Sequence, residues 1–245
     1  MKFLQIWVSL SSVFFLPAVS HNPLLKVDGN ISGVLSITSI FNAPYFDNNN
    51  NYDFSNATMA QVDAEADLYT PPNKVYTYDE AIKLRKHLDN LVNTNKKSIG
   101  LYWAMLRYYS GAADFVGGTS GSAFLYANYI YSLNPYIGCL AYEFAYSKLK
   151  DLTKAHEWYD RSLSISLPNS MIWEEIKYNN TVQSSIKVTG NFNNWKLQNM
   201  YETKGGTYNR KIMMPKCENC EYKILVDYRT IHPPSSTRES LIFNN

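Results

Sequence analysis

The sequence has almost no excess of either charge. Its 23 Lys and Arg residues face 21 Asp and Glu residues in a chain of 245, which leaves a net charge of +2 at pH 7. A balance this even gives no basis for expecting nucleic acid or an anionic membrane as a partner. Beyond the first residues, no apolar run is long enough for a membrane-spanning helix. These absences leave a globular chain of one to two domains.

Cysteine is scarce as well, with 3 residues in the chain. Cys139 falls in a helical pattern, where a lone thiol behaves as a small core residue. Cys217 and Cys220 form a C-x-x-C pair, which is predicted to close a local disulfide. Two free thiols and a redox or zinc pair are the alternatives, although a redox pair normally opens a helix and zinc needs a second ligand pair. No metal site and no cofactor are predicted.

No set of residues suited to catalysis stands out. Glu174 and Glu175 are adjacent, but in a strand they point to opposite faces, which is poor geometry for a pair of glycosidase carboxylates. The sequence has 4 His in four different contexts: His21, His87, His156 and His232. The sequence therefore predicts a protein that is not an enzyme.

The first 20 residues have the pattern of a signal peptide. Lys2 gives a short positive start, the stretch Leu4–Leu16 is mostly apolar, and Ala18-Val19-Ser20 supplies a small-x-small cleavage site. Export to a periplasm or to the exterior is the expectation, and a buried N-terminal helix is the alternative. Residues 21–55 include an asparagine-rich stretch and are expected to be irregular.

Residues 56–168 have the periodicity of helices. Asn56 is expected to cap a first, Ala-rich helix, and Thr77 with Glu80 fits a capping box in front of a second helix. This part of the chain is predicted to be a helical domain.

Two helix pairs in this domain have similar sequences at a spacing of about 33 residues. Ala123 corresponds to Ala155, and Pro135 corresponds to Pro168. The small residue lets two helices approach closely, and the proline ends the unit. The region resembles the tetratricopeptide repeat, and its helical groove is expected to bind a partner protein. An ordinary helical bundle is the alternative.

From residue 169 onwards the pattern changes to short strands with turn signals between them. This change predicts a small antiparallel β-domain over 169–245, and with the preceding helices a segregated α+β architecture. The four strand-like segments are Met171–Tyr178, Ser184–Gly190, Thr207–Pro215 and Glu221–Tyr228.

The stretch VTGNFNNWK begins within the second of these segments and continues beyond it. Gly190 is expected to take a positive φ where the chain leaves the sheet. Asn193 and Asn194 are expected to close a tight turn through bonds to the local backbone. Phe192 is predicted to anchor in the core. Trp195 is predicted to lie at the domain edge, where its flat face can stack on a sugar ring. The alternative is that Trp195 also holds the two sheets together.

The β-domain resembles the glycogen-binding domain of the AMP-activated protein kinase β subunit. That family belongs to the starch-binding E-set group, and its fold is an immunoglobulin-like sandwich. The resemblance covers about residues 170–245 and depends on Gly206 and on four motifs: Gly190-Asn-Phe-Asn-Asn-Trp195, Glu221-Tyr-Lys-Ile-Leu-Val-Asp227, His232-Pro-Pro234 and Asn244-Asn245. It implies that an α-glucan is bound by Trp195, Lys223, Asn245 and Asn194.

One feature of that family is replaced in this sequence. The second stacking tryptophan, three residues after the Val-Asp pair, is Thr230 here, and the loop that leads to Asn244-Asn245 is shorter. Tyr228 and Tyr201 are the candidate substitutes. Loss of one aromatic platform removes an interaction on the order of 1–3 kcal/mol, by analogy with base stacking.

Two functions follow from these patterns. In the first, the chain is an exported, non-catalytic adaptor whose β-domain binds α-glucan through Trp195 and its neighbours. In the second, the β-domain is a docking or scaffold module without carbohydrate binding, and the helical groove binds a partner protein. Trp195 and Lys223 favour the first function, whereas Thr230 favours the second.

Overall fold

The computed structural model describes Phe54 and residues 56–72, 74–94, 98–180, 185–216, 220–227 and 229–231. The predicted signal peptide and the rest of the 21–55 segment lie outside these residues, as do Cys217, Tyr228, His232 and Asn245. In the described part, helices precede antiparallel strands along the chain, which confirms the segregated α+β class.

Six helices form the first half of the described chain. They are α1 (Met59–Tyr69), α2 (Tyr78–Thr94), α3 (Ile99–Gly111), α4 (Ser120–Leu133), α5 (Pro135–Lys148) and α6 (Leu152–Ser162). Consecutive helices from α3 to α6 pack side by side, and α1 packs against α3. Over the described ranges, no helix combines the length and the apolar character that crossing a bilayer requires.

Side-chain caps fix where the first two helices begin. Thr58 caps α1, because its hydroxyl accepts the N–H of Gln61 while the Gln61 side chain accepts the N–H of Thr58. The cap predicted at Asn56 is therefore wrong: a Thr followed three residues later by Gln makes a reciprocal pair that Asn56 lacks. The capping box predicted at Thr77 and Glu80 is confirmed at the start of α2.

Helix α3 is the centre of the helical part, and its residues from Ile99 to Tyr108 are all buried. Two side chains satisfy its first turn: the Ser98 hydroxyl accepts the N–H of Leu101 at 3.0 Å, and the Glu65 carboxylate accepts the N–H of Gly100 at 3.1 Å. A carboxylate at this position also complements the helix dipole. Glu65 belongs to α1, so the cap joins the two helices.

Seven strands follow in the described part. They are β1 (Met171–Asn179), β2 (Ile186–Gly190), β3 (Gln198–Asn199), β4 (Tyr201–Lys204), β5 (Thr207–Pro215), β6 (Tyr222–Val226) and β7 (Arg229–Ile231). They make two antiparallel sheets, in the orders β1-β5-β4 and β3-β2-β6-β7. The four predicted strand segments correspond to β1, β2, β5 and β6, so the prediction of an antiparallel β-part is confirmed.

The sheet β1-β5-β4 buries apolar side chains on both faces. Ile212 contributes to a core shared with the other sheet, whereas its neighbour Met213 joins the core of the helical part. Successive residues of a strand point to opposite faces, so the two neighbours serve two cores. Met171 on β1 also belongs to the helical core. The two predicted domains therefore pack as one unit.

Helical side chains also complete one edge of β5. β4 pairs with β5 only from Thr207 to Asn209. Farther along β5, the Lys211 N–H donates to the Tyr159 hydroxyl at 2.6 Å, and the Met213 N–H donates to the Tyr136 hydroxyl at 3.0 Å. Buried backbone donors need partners, and the tyrosines of α5 and α6 supply them where no strand does.

A buried ion pair joins the helices to the same strand. The Arg210 guanidinium donates from Nη1 and Nη2 to the two carboxylate oxygens of Glu143, at 2.6 and 2.8 Å. The Tyr201 hydroxyl donates to the same carboxylate at 2.9 Å. Glu143 lies on α5 and Arg210 on β5, so this contact fixes the sheet against the helix.

Candidate functional site

The predicted sugar-binding stretch forms a compact loop after β2. Gly190 does not take the expected positive φ, since its φ of −173° is extended. Glycine is required there for a different reason: a Cβ at this position would lie 2.4 Å from the Glu221 carbonyl oxygen and 2.5 Å from the Phe192 ring. Glycine is therefore required at position 190 because Glu221 and Phe192 lie so close, and not because the backbone is left-handed there.

Asn193 holds this loop closed from within. Its side-chain oxygen accepts the Gly190 N–H at 3.0 Å, and its amide nitrogen donates to the Lys196 carbonyl at 2.6 Å. The Asn193 side chain is fully buried, and Phe192 beside it packs in the core between the sheets. The predicted turn at Asn193 and the core position of Phe192 are both confirmed. The local bond predicted for Asn194 is wrong, because its side chain donates to Asp67 on α1.

The next two residues have left-handed backbone conformations. Asn194 has a φ of 51°, and Trp195 has a φ of 59°. Asn tolerates this region well, whereas a bulky residue such as Trp rarely adopts it. The conformation therefore places Trp195 at a cost that its surroundings must offset.

Trp195 presents much of its side chain to solvent, with 43% of its surface exposed. The Lys223 ammonium lies 5.3 Å from the centroid of the indole ring, within the range of a cation–π contact. Lys223 is itself exposed and is paired across the sheet with Thr189. Among the described residues, no hydrogen-bond partner is found for the buried Thr189 hydroxyl. The structure thus brings two predicted sugar-contacting residues to one surface.

Asn194, the third predicted contact, is turned towards the helical part. Its amide nitrogen donates to Asp67 Oδ2 on α1 at 3.1 Å. Lys196 reaches the same carboxylate, with Nζ at 2.8 Å from Oδ2 and 3.1 Å from Oδ1. The residues on either side of Trp195 are therefore both bonded to one helical side chain.

Asp67 is also bonded within the helical part. Arg107 on α3 donates from Nη1 to Asp67 Oδ1 at 2.6 Å and from Nη2 to the Thr70 carbonyl at 2.7 Å. We call Asp67, Arg107, Asn194 and Lys196 the Asp67 cluster. The sequence prediction missed it, although Asp63 and Asp67 are four residues apart and so share one face of α1, a local sign of an acidic stripe.

Asp63 lies against this cluster and is buried. It accepts a hydrogen bond from Trp103 Nε1 at 2.8 Å, and Arg107 Nη1 is 3.9 Å from its carboxylate. Burial raises the pKa of Asp63 from the ordinary 3.8 to about 7, against the opposing charges of Arg107 and Lys196. Asp63 therefore changes charge near neutral pH in the folded protein.

The remaining predicted contacts fall elsewhere. Tyr201, a candidate substitute for the missing tryptophan, is buried, and its hydroxyl donates to Glu143, so it forms no open platform. That prediction is wrong because the residue faces α5 rather than solvent. Thr230 lies on β7, where its Cα pairs with Leu225. Asn245 and Tyr228 lie outside the described residues.

The cysteines and the possible metal ligands are the remaining groups of chemical interest. Cys139 is free and buried on α5, and burial raises the pKa of its thiol to about 11. Cys220 is disulfide-bonded, and since Cys217 lies outside the described residues, their pairing stays a prediction. Within the described ranges, no group of three or more His, Cys, Asp or Glu side chains is placed to hold a metal ion.

Comparison of the chain with protein-family models, with curated proteins and with solved structures finds no match in any of the three. The resemblance to the glycogen-binding domain therefore depends on the quoted motifs alone. The structural feature relevant to this resemblance is the surface formed by Trp195 and Lys223.

Proposed function

We propose that this chain is a non-catalytic, exported adaptor that binds α-glucan through the surface formed by Trp195 and Lys223. The exported location, periplasmic or secreted, comes from the pattern of residues 1–20. The observation that carries the proposal is the exposed indole of Trp195 with the Lys223 ammonium 5.3 Å from its ring.

The chemistry of this pair suits a polyhydroxylated ligand. An indole face stacks on the apolar C–H face of a pyranose ring, and an ammonium donates up to three hydrogen bonds to hydroxyls. Both groups stand on a rigid support, because Lys223 lies within β6 and Trp195 lies within the loop closed by Asn193. A ligand on this surface would meet a positioned aromatic ring and a positive charge.

The arrangement of elements supports the finer fold that the resemblances imply. Helix pairs α3–α4 and α5–α6 pack in succession, and the corresponding residues Ala123 and Ala155 are both buried. This favours a tetratricopeptide-like helical region. Two antiparallel sheets that share one core favour an E-set sandwich in the strand-forming region.

Affinity for glucan is expected to be modest. Thr230 stands where the family has its second stacking tryptophan, and Tyr201 is buried. A single aromatic platform lacks an interaction on the order of 1–3 kcal/mol, by analogy with base stacking. The expected behaviour is measurable retention by a polymeric glucan, where many sites are presented together.

The test is affinity electrophoresis of the full chain in gels with and without glycogen. The wild-type protein is expected to be retarded, and Trp195→Ala is expected to lose the retardation. Phe115→Ala is a matched control, because Phe115 is also exposed but lies near the C-terminal end of α3. The control should migrate as the wild type does.

Stability measurements separate loss of a platform from loss of the fold. Trp195→Ala is expected to change the free energy of unfolding by less than about 1 kcal/mol, whereas the core substitution Phe192→Ala costs about 3–5 kcal/mol. Wild-type migration that glycogen leaves unchanged would reject the proposal. The docking or scaffold module without carbohydrate binding would then take its place.

A docking function would have to use other surfaces than the one occupied by the strands. The faces of α5 and α6 that carry Tyr136, Glu143 and Tyr159 are bonded to β4 and β5. The α1 face that carries Asp67 is bonded to the loop of Trp195. A partner protein in a helical groove, which both functions allow, must therefore bind outside these contacts.

A further inference from the structure

Trp195 has a backbone conformation that tryptophan does not favour. Its φ of 59° follows a φ of 51° at Asn194, and neither residue is glycine. A bulky residue rarely adopts this region and persists there only where its surroundings determine the backbone. Asn193 supplies one such restraint from inside the loop.

The second restraint comes from the helical part. Asp67 on α1 accepts hydrogen bonds from Asn194 and from Lys196, the two residues that flank Trp195. Arg107 holds the Asp67 carboxylate in turn, at 2.6 Å. The loop is thus tied on both sides of the indole to one side chain, which is itself fixed by α3.

Stability alone does not account for this contact. The side chains of Lys196 and Asp67 keep 30% and 18% of their surface exposed, and ion pairs of that kind contribute little to folding. The buried pair of Arg210 and Glu143 already joins the strands to the helices. What the Asp67 cluster adds is local: it fixes the backbone on both sides of Trp195.

We infer that Asp67 is a positioning residue for Trp195, so that the helical part determines the orientation of the exposed indole. The inference concerns the geometry of Trp195 in the free protein. Its consequence for ligand binding depends on the proposed function: glucan affinity should depend on a helical residue that does not touch the sugar.

The experiment uses the exported protein labelled with 5-fluorotryptophan, which gives one ¹⁹F resonance for each Trp residue that it contains. The signal of Trp195 is assigned by its loss in Trp195→Phe. Lys196→Met removes the ammonium but keeps the aliphatic stem, and Asn194→Gly removes the amide while tolerating the positive φ. Lys177→Met is the matched control, since Lys177 forms an exposed ion pair with Glu175 on β1.

Both loop variants are expected to shift or broaden the Trp195 resonance in the absence of ligand and to leave the other tryptophan signals in place. Glycogen affinity should fall by about fivefold or more, the factor that corresponds to ~1 kcal/mol of lost preorganisation. The control variant should change neither quantity. Asp67→Asn should move the same resonance, and combining it with Lys196→Met should add little, because the two act through one contact.

The outcomes are distinct. An unchanged Trp195 resonance in Lys196→Met and Asn194→Gly overturns the inference, whatever happens to binding. A shifted resonance with an unretarded wild type rejects the proposed function but supports the positioning role. A shifted resonance with unchanged glycogen affinity shows that Asp67 orients the indole without controlling binding, which overturns the predicted consequence. Should Asp67→Asn fail to fold, the two loop variants still decide the question, since they leave the Asp67–Arg107 pair intact.

Discussion

Among the described residues, two ion pairs join the helices to the strand-forming part, and they differ in how far they are removed from water. The side chains of Arg210 and Glu143 are 1% and 7% exposed, and two N–H groups meet two oxygens. The pair of Lys196 and Asp67 is several times more accessible and lies beside a solvent-exposed indole. The same chemistry is used once in the interior and once at the surface.

The difference in burial separates two tasks. A buried pair is costly to form but very costly to break, because loss of one partner leaves an unpaired charge in the interior. A partly exposed pair contributes little energy but still restrains geometry. We therefore assign the arrangement of the two parts to Arg210 and Glu143, and the orientation of Trp195 to the Asp67 cluster.

The largest effect is expected from Glu143→Gln, which keeps the shape of the side chain but leaves the Arg210 charge unpaired. The free energy of unfolding, measured with urea, should fall by about 3–5 kcal/mol. Glu175→Gln breaks the exposed pair with Lys177 and should cost less than about 1 kcal/mol. Equal costs for the two variants would contradict the distinction that we draw from burial.

The next effect concerns pH and the Asp63 carboxyl beside the Asp67 cluster. In the folded protein its pKa is about 7, against 3.8 in its ordinary state. Between those values the unfolded chain has released the proton and the folded chain has kept it, so stability falls as pH rises from about 4 to about 7 and then levels. This fall in the free energy of unfolding amounts to as much as about 4 kcal/mol.

Asp63→Asn isolates this contribution, because an amide oxygen still accepts the Trp103 N–H but no longer titrates. The free energy of unfolding is measured at about one-unit intervals from about pH 4.5 to about pH 7.5. Relative to the wild type, the variant should become progressively more stable as the pH rises. Asp79→Asn, on the exposed first turn of α2, serves as control. A wild-type minus variant difference that stays flat across this window would refute the raised pKa.

A smaller effect is expected from the predicted disulfide of Cys217 and Cys220 between β5 and β6. A loop this short restricts the unfolded chain little, so reduction should lower the free energy of unfolding by about 2 kcal/mol in the chain-entropy model. Thiol counting on the unfolded, unreduced protein should find one free thiol, that of Cys139. Three free thiols would exclude the disulfide.

The smallest effect on stability is expected from Lys196→Met. The change should be less than about 1 kcal/mol in urea unfolding, because the pair is partly exposed and Arg107 still holds Asp67. A loss as large as that of Glu143→Gln would remove the distinction between a fixing contact and an orienting one. The Lys196–Asp67 pair would then be needed for the fold itself, and a change at Trp195 would follow from the loss of stability.

Local patterns were enough to predict most of the elements. Thr77 with Glu80 marks the start of α2, and the strands from Met171 and Thr207 follow β-type runs between turn signals. Asn193 could be predicted because its bonds are to residues three positions away. Each of these features depends on neighbours in sequence, which is the information that periodicity and turn chemistry contain.

Contacts between distant residues were not predictable in this way. Asp67 and Lys196 are 129 positions apart, and no periodicity marks either residue for the other. Tyr201 resembles an exposed aromatic in sequence, yet α5 covers it, and Gly190 is required by the Glu221 carbonyl just before β6. Such outcomes follow from how the sheets pack on the helices, and a single sequence contains no local sign of that packing.

The tyrosine hydroxyls that accept the Lys211 and Met213 N–H groups have a consequence for self-association. While α5 and α6 are in place, this edge of β5 has its donors occupied and offers no template for another strand. If the helices separate from the sheet, two adjacent donors and the side chain of Met213 become open along an extended segment, the kind of edge that recruits strands from other chains. The helical part therefore protects the strands from aggregation.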